Sequence, residues 1–389
     1  MSPLDRAIAL GRADEELLPV PCEGVPIVPR NMARVRTGLE GRLLLPYALA
    51  AGRTRSRAPV RAVPDGNRGA VLPDRQVELW GRRFLVGVKG VGARVGLYEE
   101  GPLAFTGMGA IKGRVFTSES WFGENPWGAL SGRACAEDAA VTELCGPDSI
   151  EGFHICPVVS ASPLPGWVMR GARERYWYRR LDGGGAFYQQ LRLMPSNVRL
   201  YHESESTLGR STAAMLEAFG VRDGEALDEF IENYLRSGMA TLTLAARTAR
   251  RAGRIWRAMD YSDVWLDKDS VVAPDGTLFF ADLEGLEWVP LHTAKEAAAR
   301  VRRQFDRNYY ELMYGLDRLL GERGTMTGQA PSWGARRRSA AARMQLALAG
   351  DRYISLEESR AGLDAVVRPA AGPAREVTVR VLDFEEGER

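Results

Sequence analysis

The sequence contains very little lysine. Among 389 residues there are 52 lysines and arginines together, and four of them are lysines: Lys89, Lys112, Lys268 and Lys295. The 50 acidic residues leave a formal net charge of +2 at pH 7, which excludes a strongly basic platform for nucleic acid. Because arginine fills the basic role almost everywhere, each lysine is a candidate for a role that requires a compact ammonium group.

Histidine and cysteine are also scarce, with three and four residues. None of the cysteines forms a Cys-x-x-Cys pair, and the histidines are scattered along the chain. Zinc hydrolases and Ser-His-Asp enzymes both need imidazole in a defined partnership, so the sequence argues against these two classes. Carboxylates, lysine and arginine remain as the groups that could carry chemistry.

Long apolar runs are missing as well. The longest candidate, residues 43–51, is much shorter than the roughly 18 residues of a membrane span. The first residues include Asp5 and Asp14 and do not form a basic head followed by an apolar core, which a secretory signal would need. We therefore expect a cytoplasmic protein without a membrane partner.

The sequence divides into three regions. Residues 1–74 mix turns with an Arg-, Pro- and Gly-rich loop and are predicted to be an N-terminal extension. Residues 75–200 alternate strand, helix and strand patterns, which predicts a mixed sheet with one helix at 131–145. Residues 201–389 are mainly helical, with helices predicted at 212–219, 225–251, 294–320 and 336–348 and a closing strand at 377–383.

A hairpin pattern at residues 270–282 is flanked by two carboxylates. Two runs rich in β-forming residues surround Pro274-Asp275-Gly276, a turn sequence, and Asp269 and Asp282 stand at the two ends. A tight hairpin returns its end to its beginning, so the two carboxylates should converge and could share Mg²⁺. An ordinary exposed hairpin is the alternative, because Asp is common beside turns.

The order of these features resembles that of the protein-kinase-like superfamily. The spacing of Asp269 and Asp282 is similar to that of the two metal ligands of kinases, and residues 84–89, ending in Lys89, resemble the strand whose lysine binds ATP phosphates. This resemblance implies an α+β, two-lobed protein-kinase-like fold. It would have a small mixed-sheet lobe and a larger, mainly helical lobe.

A second resemblance concerns the selenoprotein-O pseudokinases, which transfer AMP. Lys89, Gly90 and Gly92 are similar to the Lys-Gly-x-Gly of that branch, and residues 131–134 resemble its entry into the helix whose glutamate pairs with the lysine. The resemblance implies that Glu143 is the partner of Lys89, with Glu137 as the alternative. Lys112, which has the same apolar-Lys-Gly context, is the alternative to Lys89.

The catalytic base departs from the kinase pattern. Kinases place an Asp five residues before the metal ligand, and here that position is Val264. The neighbouring Asp263 could serve as the base or position the acceptor. Lys268 lies inside the acidic loop, residues 263–269, where it could contact a γ-phosphate or form a salt bridge with the loop carboxylates.

These features predict an ATP- and Mg²⁺-dependent, kinase-like transferase. It would move a phosphoryl or adenylyl group to a protein or small-molecule acceptor. The alternative is a catalytically inactive pseudokinase that senses a nucleotide or binds a partner, because Val264 replaces the base and no clear Gly-rich phosphate loop precedes Lys89. Nucleic acid is not the expected partner, since acidic residues balance the arginines.

Overall fold

The structure is a computed structural model. It describes residues 15–46, 54, 58–64, 69–89, 130–146, 150–167, 187–200, 212–249, 254–257, 266–281, 283, 287–328, 332–370 and 372–384.

The chain forms two compact units. Unit 1 comprises residues 1–146 and 155–209, and unit 2 comprises residues 147–154 and 210–389. Each unit is described separately.

Sixteen strands and seven α-helices are present in the described part of the chain. The strands are β1 (Glu15–Pro21), β2 (Arg42–Pro46), β3 (Val60–Pro64), β4 (Gly69–Leu79), β5 (Arg82–Lys89), β6 (Leu130–Ser131), β7 (His154–Ile155), β8 (Val158–Pro163), β9 (Phe187–Met194), β10 (Arg254–Arg257), β11 (Ser270–Val272), β12 (Leu278–Phe280), β13 (Glu287–Pro290), β14 (Ile354–Glu358), β15 (Gly362–Val367) and β16 (Val377–Asp383). The helices are α1 (Gly132–Leu144), α2 (Thr212–Phe219), α3 (Gly224–Leu242), α4 (Leu244–Thr248), α5 (Leu266–Asp269), α6 (Ala294–Met326) and α7 (Trp333–Ala347).

Unit 1 is built around one large antiparallel sheet. Seven strands follow the order β2-β1-β3-β4-β5-β9-β6, and β8 also pairs with β9. The β4–β5 hairpin turns through Trp80 and Gly81, which have φ angles of 55° and 71°. Positive φ at both central residues is the requirement of a type I′ turn, whose twist matches that of the strands.

The sheet curves into a nearly closed, barrel-like form. The Gln189 side chain on β9 links two strands that are not neighbours in the sheet order, β9 and β2. Its Oε1 accepts from the Leu44 backbone N–H at 2.7 Å, and its Nε2 donates to the Leu44 carbonyl at 2.8 Å. One side-chain amide thereby satisfies backbone groups of β2 that the sheet ladder leaves available.

Helix α1 packs against the strands β6, β8 and β9. Its position agrees with the predicted helix at 131–145, and the chain leaves the helix at Cys145-Gly146. The buried face consists of Ala134, Cys135, Asp138, Ala139, Val141 and Thr142. These residues follow helical spacing, but one of them, Asp138, has a carboxylate side chain.

The prediction of a two-lobed protein-kinase-like fold with a small mixed-sheet lobe is wrong. The sheet of unit 1 is large, and its strand pairs are antiparallel. Three of its strands, β1, β2 and β3, come from residues 15–64, which the sequence analysis assigned to an extension of turns and loops. Prolines in and beside these strands hide the alternation that would reveal them.

Unit 2 contains the helices α2 to α7. Asp223 caps α3 by accepting from the Ala226 N–H at 2.9 Å, and Thr293 caps α6 by accepting from the Glu296 N–H at 3.1 Å. The predicted helix at 225–251 is divided in the structure, since α3 ends at Leu242 and α4 begins at Leu244. Within the described residues, no helix combines the length and the hydropathy required to cross a membrane.

Smaller antiparallel sheets complete unit 2. β11 and β12 form the hairpin predicted at residues 270–282, which is confirmed, and β10 pairs with β13. β14, β15 and β16 form a three-stranded meander. The last of these strands has the bounds predicted from sequence, whereas β14 and β15 were not predicted.

Helices α3 and α6 approach each other closely at Gly238. A Cβ atom at this position would lie 2.2 Å from Cδ1 of Leu312 on α6. Four residues earlier, the buried Tyr234 hydroxyl donates to the Leu312 carbonyl at 3.0 Å. The absence of a side chain at Gly238 therefore sets the distance between the two helices.

We expect Gly238→Ala to destabilise unit 2, although alanine favours a helix by up to about 1 kcal/mol. Overpacking against Leu312 should lower the free energy of unfolding by about 1–3 kcal/mol. Gly321→Ala on α6 is the matched control, because a Cβ there would meet only Nη1 of Arg336 at 3.7 Å. Urea titrations followed by circular dichroism measure both variants. Equal or greater stability of Gly238→Ala would refute the close-packing account.

Candidate functional site

Lys89 lies at the end of β5 and is buried, with 5% of its surface exposed. The register of β5 and β9 pairs Lys89 with Gln190 and Gly87 with Arg192. Paired residues of antiparallel strands project to the same face of a sheet. The side chains of Lys89, Gln190 and Arg192 therefore share one face of the sheet.

A carboxylate from α1 reaches this same face. Asp138 is fully buried, and its Oδ2 accepts from Gln190 Nε2 at 2.7 Å and from Arg192 Nη2 at 3.1 Å. Arg192 Nη2 also donates to Gln190 Oε1 at 2.6 Å. We refer to Lys89, Asp138, Gln190 and Arg192 as the lysine cluster.

The lysine cluster is a site of buried charge. The side chains of Arg192 and Asp138 are 3% and 0% exposed. Removing one partner of such an ion pair leaves an uncompensated charge in a medium of low dielectric constant, which costs about 3–5 kcal/mol. The cluster contains two cationic side chains and one carboxylate, a composition suited to an anionic ligand.

Glu143 and Glu137, the acidic residues that sequence assigned as partners of Lys89, have other contacts. Glu143 is exposed and accepts from the backbone N–H of Arg30 at 2.8 Å. Glu137 forms an ion pair with Arg133 at 2.8 Å on the surface of α1. The carboxylate of α1 that joins the lysine cluster is Asp138, and its position within the apolar stripe of the helix was the available sequence signal.

A second group of predicted residues lies in unit 2, at the β11–β12 hairpin. Asp269 ends α5 and is fully buried. The hairpin pairs Ser270 with Phe280, and the Ala281 N–H donates to the Asp269 carbonyl at 2.7 Å. The register therefore brings Asp269 opposite Ala281, the residue that precedes Asp282 in the sequence.

The turn of this hairpin is fixed against α3. Gly276 has a φ of 88°, and a Cβ on it would lie 2.3 Å from the Phe230 carbonyl oxygen. Asn233 Nδ2 donates to the Asp275 carbonyl at 3.0 Å, and the Leu278 N–H donates to Ser237 Oγ at 2.8 Å. Only glycine combines this backbone conformation with such a close approach. The hairpin thus holds Asp269 at a defined position.

The other predicted residues are not described by the structure, or only in part. Gly90, Gly92, Lys112, Asp263 and Asp282 lie outside the described residues. For Lys268, the structure describes the backbone within α5 and not the side chain.

Asp269 is suited to a hard cation, since Mg²⁺ prefers carboxylate oxygen ligands. Within the described ranges, no three His, Cys, Asp or Glu residues form a cluster that could hold a metal ion. A metal site at the hairpin therefore needs at least one ligand from elsewhere, and Asp282 is the sequence candidate.

No protein-family profile matches the chain, and no curated protein sequence matches it.

The lysine cluster gives a prediction about stability. Asp138→Asn should lower the free energy of unfolding by about 3 kcal/mol, because Arg192 loses its buried counter-charge. Glu143→Gln on the same helix is the control. Its amide oxygen can still accept from Arg30, so we expect a change within about 0.5 kcal/mol. Chemical denaturation of both variants provides the measurement, and equal stability of the two would contradict the assigned pairing.

Proposed function

We propose that the protein is an ATP- and Mg²⁺-dependent transferase that moves a phosphoryl or adenylyl group to a protein or small-molecule acceptor. The observation that carries the proposal is the hairpin that holds the buried Asp269 opposite Ala281. The proposal rests on these residues and their spacing, and not on the two-lobed fold.

Asp269 and Asp282 are assigned to metal binding. Asp282 directly follows Ala281 in the sequence, and the backbone of Ala281 is hydrogen-bonded to that of Asp269. Two carboxylates at the ends of one hairpin fit the preference of Mg²⁺ for oxygen ligands. When bound, magnesium supplies positive charge that offsets the charge of a triphosphate.

Lys89 and Arg192 are assigned to phosphate binding. Both are buried on one face of the sheet, where low dielectric constant strengthens their attraction for an anion. Asp138 and Gln190 hold the Arg192 guanidinium by hydrogen bonds, which reduces the entropy lost when an anion binds. Lys89 contributes a compact charge that can contact two phosphate oxygens.

Asp263 is assigned as the base or as the group that positions the acceptor. It begins the acidic loop and is adjacent to Val264, the position at which kinases place the base, which is the reason for this assignment. A carboxylate within hydrogen-bond reach of an acceptor hydroxyl can take its proton as the bond to phosphorus forms.

Asp269→Asn tests the metal assignment. The amide keeps the shape of the carboxylate but removes its charge, so the affinity for Mg·ATP should fall by about tenfold or more. Isothermal titration calorimetry measures the affinity, and Glu143→Gln should bind like the unmodified protein. Asp282→Asn is the second variant in case Asp269→Asn fails to fold. If folded Asp269→Asn and Asp282→Asn both bind Mg·ATP with unchanged affinity, the metal assignment is wrong.

Labelled ATP tests the reaction. The protein is incubated with ATP labelled at the α- or the γ-phosphate, alone and with candidate acceptors. Stable transfer of the γ-label indicates phosphoryl transfer, and stable transfer of the α-label indicates adenylyl transfer. Lys89→Arg should lower the transfer, because guanidinium replaces the compact ammonium. Binding of ATP without transfer of either label would contradict the transferase and favour a nucleotide-sensing module.

A further inference from the structure

A cavity of about 280 Å³ lies within unit 2, beside α3. Three arginines line it: Arg236 on α3, Arg247 on α4 and Arg352 just before β14. Glu151 and Asp351 line it too, and the small Ala240 leaves space in its wall. We refer to this cavity as the arginine pocket; the hairpin carboxylate Asp269 is not among its lining residues.

Arg247 is a buried and firmly held cation in the arginine pocket. Its side chain is 3% exposed; its Nε donates to Thr243 Oγ1 at 2.9 Å and its Nη2 to Asp351 Oδ2 at 2.8 Å. The guanidinium lies over the Tyr353 ring, with Cζ 4.6 Å from the ring centroid. These contacts fix the orientation of the group before any ligand binds.

The arginine pocket retains unused hydrogen-bonding capacity. Arg247 Nη1 makes only a loose ion pair with Glu151 Oε2, at 3.8 Å, among the described residues. Arg236 is exposed and has neither a hydrogen bond nor an ion pair to any residue in the described part of the chain. Arg352 is bound to Glu151 and to the Tyr353 hydroxyl.

The charges of the arginine pocket favour an anion. Three guanidinium groups face two carboxylates, and Asp351 is already engaged by Arg247. Asp351 Oδ1 also accepts from the backbone N–H groups of Tyr353 and Ile354, at 2.7 and 3.1 Å. Glu151 is therefore the acidic group that would compete with a bound anion for Arg247 and Arg352.

We propose that the arginine pocket binds a phosphate monoester. A phosphate monoester has three terminal oxygens and a charge near −2 at neutral pH, which suits three guanidinium groups better than a carboxylate with two oxygens. The cavity opens to solvent, so it can receive the phosphate group while the rest of the ligand extends outward. The phosphate could belong to a free metabolite or to a phosphorylated side chain of a protein.

Binding of O-phosphoserine to the full chain, without nucleotide or magnesium, tests this proposal. We expect Arg236→Gln to weaken binding by about tenfold, the effect of losing one charge-assisted contact. The matched control is Arg222→Gln, which removes the same charge from another exposed arginine. Arg222 precedes α3, and the start of this helix is about 18 Å from Arg236 at 1.5 Å per residue. Titration calorimetry measures affinity, and circular dichroism confirms that both variants fold.

Glu151→Gln is a second test, in which the affinity for O-phosphoserine should rise instead of fall. Removing the competing carboxylate should tighten O-phosphoserine binding by about threefold.

A short phosphoserine peptide distinguishes the two sources of phosphate. Tighter binding of the peptide than of the amino acid favours a phosphorylated protein, and the reverse favours a metabolite.

The proposal is overturned if O-phosphoserine and the peptide both fail to bind, or if Arg236→Gln binds them as tightly as Arg222→Gln. It does not depend on the proposed transferase activity. Asp269→Asn should leave O-phosphoserine binding unchanged, so failure of one proposal can be distinguished from failure of the other.

Discussion

The burial of arginine beside carboxylate is the constraint on which both units depend. A guanidinium keeps its charge in a protein, so a buried arginine must keep a counter-charge as well. In unit 1, Arg192 is held by Asp138, and the pair joins α1 to the sheet. In unit 2, Arg247 is held by Asp351, and the pair joins α4 to the segment before β14. Both arginine side chains are 3% exposed, so the pairs belong to the interior.

A third cluster shows how the same chemistry holds the helices of unit 2. Asp228 on α3 accepts hydrogen bonds from Arg323 on α6 and from Arg343 on α7, at 2.5 and 2.6 Å. Burial acts to raise the pKa of Asp228, but the hydrogen bonds and charges of Arg323 and Arg343 outweigh it and hold the pKa below its usual value. The arginine-rich composition is therefore more than a surface property, since several arginines connect separate elements.

The candidate sites depend on backbone geometry as much as on charge. The type I′ turn at Trp80 and Gly81 joins β4 to β5, and the register between β5 and β9 brings Lys89 beside Gln190. In unit 2, the close approach of Gly276 to Phe230 fixes the hairpin that bears Asp269. The sequence could indicate Lys89 and Asp269 because each lies in a local pattern. For Asp138, the sequence signal was its place within the apolar stripe of α1, which indicates burial but does not show which distant strand the side chain meets.

The sequence by itself determined the local elements: α1, the hairpin at 270–280, most of α6 and α7, and β16. These depend on periodicity, capping and turn residues, which act over a few positions. The tertiary structure alone decided the large antiparallel sheet, its link through Gln189 to Leu44, and the meeting of Arg236, Arg247 and Arg352 at one cavity. Each of these brings together residues far apart in the chain. Such contacts are selected by the packing and hydrogen bonding of the whole unit, which no local pattern records.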